Sequence, residues 1–282
     1  MPGRRLPPES ELAVGRYAGP ELVRRRVVLR ETLAAFEARG PRLRALAAEN
    51  LARWAAAARP EGPALQVLPG DWGEVTGALT RAWGTRFAVL NMANAYVPGG
   101  AYVEGTAAQE ENLFRRTDCH FFVPDESMID DHYTPEMTAL LSAEGGRVYL
   151  DTAHPRTCIR GPEDRARPDL GYPWLADDEV FPFYELRAAA QDLRDGSPFD
   201  ESEARRRIEA QLDTLVQAGL RNAVLSAFGC GAFQNPADRV AALYREALMA
   251  REGRFDCIAF AIFHPGYGPD NYSVFARVLT GL

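Results

Sequence analysis

Lysine is absent from this sequence, and all 32 basic residues are arginine. No side chain can therefore form a pyridoxal Schiff base, and no Walker-type loop has its phosphate-binding lysine. Cysteine and histidine are scarce and scattered: Cys119, Cys158, Cys230 and Cys257, then His120, His132, His154 and His264. No pair has metal-ligand spacing, so we expect no metal, no cofactor and no disulfide framework. No apolar run approaches the ~18 residues of a membrane span. The stretch from Met1 to Pro20 has arginine and proline but no apolar leader core. The expectation is a soluble, reduced, cytoplasmic protein without a membrane partner. Basic charge is also outweighed, with 39 acidic residues and a net charge of -7. That balance disfavours nucleic acid as a partner, although an arginine fork can still grip a single phosphate.

What remains, 282 residues of which 46% are hydrophobic, is enough for one large domain. The first 19 residues read as loosely ordered. Helices are expected from Glu21 to Arg39 and from Pro41 to Arg59, separated by Gly40-Pro41, because glycine followed by proline stops a helix. Short apolar strands follow at 64–68, 87–92, 147–150, 223–227 and 257–263, alternating with helices near 72–83, 201–218, 236–250 and 272–279. This pattern predicts an α/β fold, a sheet covered on both faces. From Thr152 to Phe199 the chain carries six prolines and little periodicity. It reads as a covering segment, with Arg156, Arg160 and Phe181 to Tyr184 lying over a ligand cleft.

Ligands of open α/β sheets bind at the carboxyl ends of strands. Two such ends carry unusual sequence. The first runs from Asn91 through Asn94, Gly99-Gly100-Ala101 and Gly105 to Thr106-Ala-Ala-Gln109-Glu110-Glu111. Thr106 and Gln109 have capping-box spacing, which would put the Glu pair about one turn into a helix. Acidic residues there can simply complement the helix dipole, but the preceding asparagine and glycines favour a site. The second end is Ser226-Ala-Phe-Gly229-Cys230-Gly231-Ala232-Phe233-Gln-Asn235-Pro236, with Asn235 as the expected N-cap. Glycines and free N–H groups in such a turn make an anion cradle that needs no lysine; the alternative is a tight turn holding nothing. Cys230 has no histidine near it in sequence and reads as a small buried residue.

The Gly-Gly…Gln-Glu-Glu run followed by Phe-Gly-Cys-Gly-Ala-Phe-x-Asn-Pro resembles the microbial-type poly(ADP-ribose) glycohydrolases, a branch of the macrodomain superfamily. The likeness spans roughly Leu65 to the C-terminus. It implies a macrodomain-like mixed sheet between helices over 61–282, with an N-terminal helical extension over 1–60. It further implies ADP-ribose or ADP-ribosylated protein as partner, and cleavage of the distal-ribose C1″ bond to release ADP-ribose. Glu111 would be the acid/base, while Glu110 and Asn94 hold ribose hydroxyls. Gly99 and Gly100 would lie near the diphosphate or distal ribose, Gly229 to Phe233 would cradle the diphosphate, and Asp71 would meet adenine. Ala101 stands where the family usually has a third glycine. Asp118, Asp130 and Asp131 make the stretch after the Glu pair unusually acidic, an alternative acidic site suited to a cationic leaving group such as modified arginine. The competing reading is a non-catalytic macrodomain reader, for which two adjacent carboxylates beside the ribose have no use.

Overall fold

The computed structural model describes residues 3–12, 17–60, 62, 64–264, 266 and 268–280. A short helix α1 (Glu9–Leu12) precedes the long α2 (Pro20–Ala57), after which strands and helices alternate. They are β1 (Leu65–Pro69), α3 (Trp72–Trp83), β2 (Ala88–Met92), α4 (Gln109–Arg116), a small hairpin of β3 (Met128–Ile129) and β4 (His132–Tyr133), and α5 (Pro135–Leu141). The chain continues with β5 (Tyr149–Cys158), β6 (Phe181–Ala188), α6 (Glu201–Gln217), β7 (Asn222–Leu225), α7 (Ala237–Met249), β8 (Cys257–Ile262) and α8 (Asn271–Leu279). The six long strands form one sheet in the order β1-β8-β7-β2-β6-β5, parallel except for the edge strand β5.

Strand side chains alternate between the two faces, and here both faces are buried. Ala88 and Leu90 of β2 and Ile258, Phe260 and Ile262 of β8 meet α6, α7 and α8. Phe87 and Val89, with Ala259 and Ala261, face the other way onto Leu29 and Leu33 of α2, Trp72 of α3 and Leu113 of α4. Hence these strands read as continuous apolar runs rather than alternating ones.

Three expectations need correction. The two N-terminal helices are one 38-residue helix, kinked where Arg39 leaves helical geometry (φ -143°, ψ 20°) just before Pro41. Proline there removes one N–H, and the helix bends without stopping. The N-terminal segment is also tied down where it is described: the Gly3 N–H donates to the Val123 carbonyl at 3.2 Å, and Arg30 Nη2 to the Pro7 carbonyl at 3.1 Å. Residues 1–2 and 13–16 of that stretch lie outside the described residues.

The third correction concerns the covering segment. Phe181 to Tyr184 do not lie over a cleft; they open β6, which sits inside the sheet between β2 and β5. Phe181 and Phe183 are buried, and the Phe183 ring packs 5.6 Å from that of Trp72. Pro182 is tolerated because it lies near the strand start, before pairing with β2 begins at Tyr184. Arg156 and Arg160 are likewise structural. Arg156 pairs with Glu185 at 3.0 Å, and Arg160 pairs with Glu31 at 2.7 Å while its guanidinium stacks 3.5 Å from the centre of the Trp174 ring. From the whole stretch only residues near 191–194 reach a glycine turn, with the Leu193 N–H donating to the Phe233 carbonyl.

Candidate active site

Because β1, β8, β7 and β2 are parallel neighbours, their carboxyl ends line one edge of the sheet. Asp71 follows β1, the turn around Gly229 follows β7, and Asn94 with the Gly99-Gly100 loop follows β2. The two glycine turns identified in the sequence are therefore side by side.

The Glu pair closes the β2 end. Gln109 is the first residue of α4, and its side chain grips the strand: Oε1 accepts from the Met92 N–H (2.9 Å) and Nε2 donates to the Leu90 carbonyl (2.7 Å). The capping box is thus not formed. Ala108 occupies the N-cap position, and the Thr106 hydroxyl instead lies 3.1 Å from Glu111 Oε1 and 2.9 Å from the Ala101 carbonyl. The helix begins later than the motif implies, so Glu110 and Glu111 stand in its first turn rather than one turn in, and the Gln109 amide and the Glu111 carboxylate bond across the loop instead. Glu110 accepts from the Asn94 N–H on Oε2 (2.7 Å) and from the Gly99 N–H on Oε1 (3.2 Å). Glu111 Oε1 accepts from the Ala101 N–H at 3.1 Å, while its Oε2 accepts from no described residue.

Both carboxylates converge on Gly100. A Cβ at that position would stand 2.6 Å from Glu111 Oε1 and 3.3 Å from Glu110 Oε2, and φ is +58°, so only glycine fits. Ala101 has no positive φ, so the missing third glycine costs no backbone strain. Asn94 spends Oδ1 on the Tyr96 and Val97 N–H groups, at 2.8 and 2.9 Å, leaving its Nδ2 without a described partner.

Glu110 is held well above the usual carboxylate range, first by burial and next by Glu111; the Asn94 N–H and Arg187 pull the other way. Below the ordinary value of 4.5, folded and unfolded chains both keep this proton, so its contribution to stability is fully present. As pH rises from there the unfolded chain ionises first, and stability falls by at most about 1.4 kcal/mol per pH unit until Glu110 itself ionises in the fold. Glu110→Gln cannot titrate. We expect its stability, followed by denaturant melts at stepped pH, to decline more gently than wild type above that value. The glutamine Nε2 facing a loop N–H adds only an offset that does not vary with pH. Equal slopes would mean that Glu110 is already ionised in the folded protein.

At the β7 end, the Gly231, Ala232 and Phe233 N–H groups donate to no described residue, so three consecutive donors are free to bind an anion. Asn235 is not the N-cap, a place taken by Pro236; its Nδ2 ties the turn together by donating to the Gln191 (2.7 Å) and Gly229 (3.2 Å) carbonyls. Cys230 is buried, and burial pushes its thiol up to about 12, which removes it as a nucleophile at neutral pH. Arg194 had no signal in the sequence. Its guanidinium lies 5.1 Å from the centre of the Phe233 ring, and it is held protonated by its partner Asp192 and, more weakly, by Glu111.

Asp71 is the N-cap of α3. Its Oδ1 accepts from the Gly73 and Glu74 N–H groups and from buried Arg116, leaving Oδ2 without a described donor. The three aspartates of the alternative acidic site do not come together. Asp118 is fully buried, accepting from the Thr157 N–H (2.7 Å) and Arg44 (3.1 Å). Asp130 and Asp131 form the exposed turn between β3 and β4, and only Asp131 lines the cleft of about 210 Å³ beside Asn94, Gly100 and Ala101. Among the described residues no group of three His, Cys, Asp or Glu could hold a metal ion, and no helix is long and apolar enough to cross a membrane.

Residues 30–142 match the family described as microbial-type PARG, catalytic domain. Among curated proteins no match was found. Solved structures do match. One is poly(ADP-ribose) glycohydrolase from Thermomonospora curvata bound to the inhibitor ADP-HPD, with 23% identity over 90% of this chain and 98% of that one, and a TM-score of 0.62. The Deinococcus radiodurans enzyme in complex with ADP-ribose aligns in one structure with 23% identity over 87% of this chain and 92% of that one (TM-score 0.56). In another, the values are 25%, 82% and 90% (TM-score 0.52). The segment that carries the Gly-Gly loop and the Glu pair thus matches the microbial-type PARG catalytic-domain family, on a chain that shares the fold of those solved structures.

Proposed function

We propose that this chain is an ADP-ribosyl glycohydrolase that cleaves the distal-ribose C1″ bond and releases ADP-ribose from poly(ADP-ribose) or ADP-ribosylated protein. One observation carries the reading. Along a single sheet edge lie an open carboxylate oxygen at Asp71, three free N–H groups at Gly231 to Phe233, and the Glu110–Glu111 pair. They follow β1, β7 and β2, which lie three strand spacings apart from first to last, about 14 Å. That order and span suit adenine, diphosphate and distal ribose in turn.

In this arrangement Glu111 Oε2 is the group free to act. It protonates the leaving oxygen as the C1″–O bond breaks, and the resulting carboxylate then takes a proton from the water that adds to C1″, restoring the starting state. Glu110 keeps the loop in place with one lone pair on each oxygen, and has others to accept ribose hydroxyls, with Asn94 Nδ2 beside it. No metal or cofactor enters these steps. Asp131 and His132 line the same cleft as Asn94, Gly100 and Ala101, and the carboxylate there keeps a cationic, arginine-linked substrate within the class. The four cysteines are free and buried, in keeping with a reducing compartment such as the cytoplasm.

The deciding experiment is to incubate the protein separately with polymer, with Glu/Asp-linked and with Arg-linked substrates, and to follow free ADP-ribose. Release from any of them supports the hydrolase; tight ADP-ribose binding without release from all three would make the chain a reader.

The cradle has its own test. A Cβ at Gly231 meets no atom within 4 Å, so Gly231→Val is expected to fold while its side chain fills the approach to the free N–H groups. Calorimetry should show ADP-ribose affinity falling by about tenfold or more, the scale of one or two lost hydrogen bonds to a charged ligand. Unchanged affinity in a folded variant would remove the diphosphate from this turn.

A further inference from the structure

We propose that the N-terminal segment belongs to the active site, with Arg4 as a positioning residue for Glu111. The inference rests on the glycohydrolase reading of the Glu pair. It starts from one peptide unit, the amide joining Gly100 to Ala101. Its carbonyl accepts from Arg4 Nη1 at 2.7 Å, and its N–H donates to Glu111 Oε1 at 3.1 Å. A cationic donor on the carbonyl draws electron density toward the oxygen and makes the N–H of the same amide a stronger donor. Arg4 thereby fixes the plane of the amide and strengthens its hold on the inner oxygen of Glu111, the oxygen that orients the outer one.

Arg4 is itself held. Its Nη2 lies 2.8 Å from Glu104 Oε1 and its Nη1 3.3 Å from Glu104 Oε2, while its backbone N–H reaches the Tyr102 hydroxyl at 3.3 Å. That hydroxyl is 2.8 Å from His120 Nδ1, so the anchor continues into the body of the protein. The Arg4 and Glu104 side chains are only 11% and 16% exposed, which spares the pair most of the solvent screening that weakens surface ion pairs. Position 100 must be glycine, and no side chain of its own can steady this loop. The support therefore comes from outside, and a forked guanidinium can serve the carbonyl and Glu104 together where an ammonium cannot.

The test compares wild type, Arg4→Ala and Arg4→Lys in two measurements. Amide hydrogen exchange at Ala101, read by NMR, should be fastest in Arg4→Ala and intermediate in Arg4→Lys, with core amides of β2 and β7 unchanged. Turnover should follow the same order, with kcat for Arg4→Ala lower by about 10- to 100-fold, the scale of a slightly misplaced catalytic group. KM and the ADP-ribose dissociation constant should stay near wild type. The proposal is overturned by wild-type exchange at Ala101, by an unchanged kcat, or by loss of kcat, affinity and core protection together, which would mark a merely structural contact. Should wild type release no ADP-ribose from any substrate, the hydrolase reading fails, and the exchange measurement alone still decides whether Arg4 clamps the loop.

Discussion

Glu111→Gln is expected to lower ADP-ribose release by about 10²–10⁴-fold, the usual cost of losing a general acid or base, while ADP-ribose binding stays nearly intact. The substitution suits the geometry. The glutamine oxygen can accept from the Ala101 N–H and Thr106 as Oε1 does now, and its NH₂ takes the place of the open oxygen. Shape and loop contacts persist, and only the ability to exchange a proton is lost. Glu110→Gln should slow the reaction less, since the proposed mechanism has that side chain orient substrate rather than transfer a proton. Wild-type turnover by Glu111→Gln on every substrate would refute the assignment. Asp131 would then be the next carboxylate to test, because Asp118 is sealed in the interior and Asp130 does not border the cleft.

The largest stability effect is expected at Glu185. This carboxylate is fully buried in β6 between two fully buried guanidiniums, accepting from Arg156 Nε (3.0 Å) and from Arg187 Nε and Nη2 (both 2.9 Å), with Asn91 Nδ2 also at 2.9 Å. Burial pushes its pKa up, but the two arginines overrule burial and bring it to about 2. Glu185→Ala would leave two cations in the core without their shared anion, a change that costs about 3–5 kcal/mol when a buried pair is broken. Thermal unfolding should drop by about 10 °C for a chain of this size. A shift of a degree or less would mean that Asp151, which also pairs with Arg156, and the Tyr133 hydroxyl on Arg187 already balance these charges.

Glu185 and Arg187 also explain where reading the sequence stopped. The strands β1, β2, β7 and β8 were legible because their apolar runs are what a two-sided core requires. β6, with the sequence Phe-Pro-Phe-Tyr-Glu-Leu-Arg-Ala, hides among loop-like signals: a proline near its start and two charges in its length. Those charges are buried only because each finds its partner across strands, information that no local pattern carries. The same limit applied to the site. Residue types and glycine spacing marked two turns that the fold brings side by side, and the Gln-Glu-Glu run opens the helix beside one of them. The partners were not readable, because Thr106 turning to Glu111, Gln109 to the strand and Asn235 to Gln191 are decided by how the loops fold back. Arg4, 96 residues from the carbonyl it holds, carries no local mark at all.

The Glu pair provides the acceptors for the N–H groups of Asn94, Gly99 and Ala101, and its oxygens occupy the space a Cβ at position 100 would take. The proposed chemistry and the observed scaffolding thus fall on the same atoms. Under the proposed mechanism, trimming either glutamate to alanine would stop turnover and also strip the loop of its internal support, so an inactive alanine variant says little about proton transfer. The same fusion constrains how such a protein can diverge. A descendant that kept ligand recognition and gave up hydrolysis could not simply lose the carboxylates; it would have to rebuild the loop around new acceptors, and until then selection for binding alone would preserve the Glu pair.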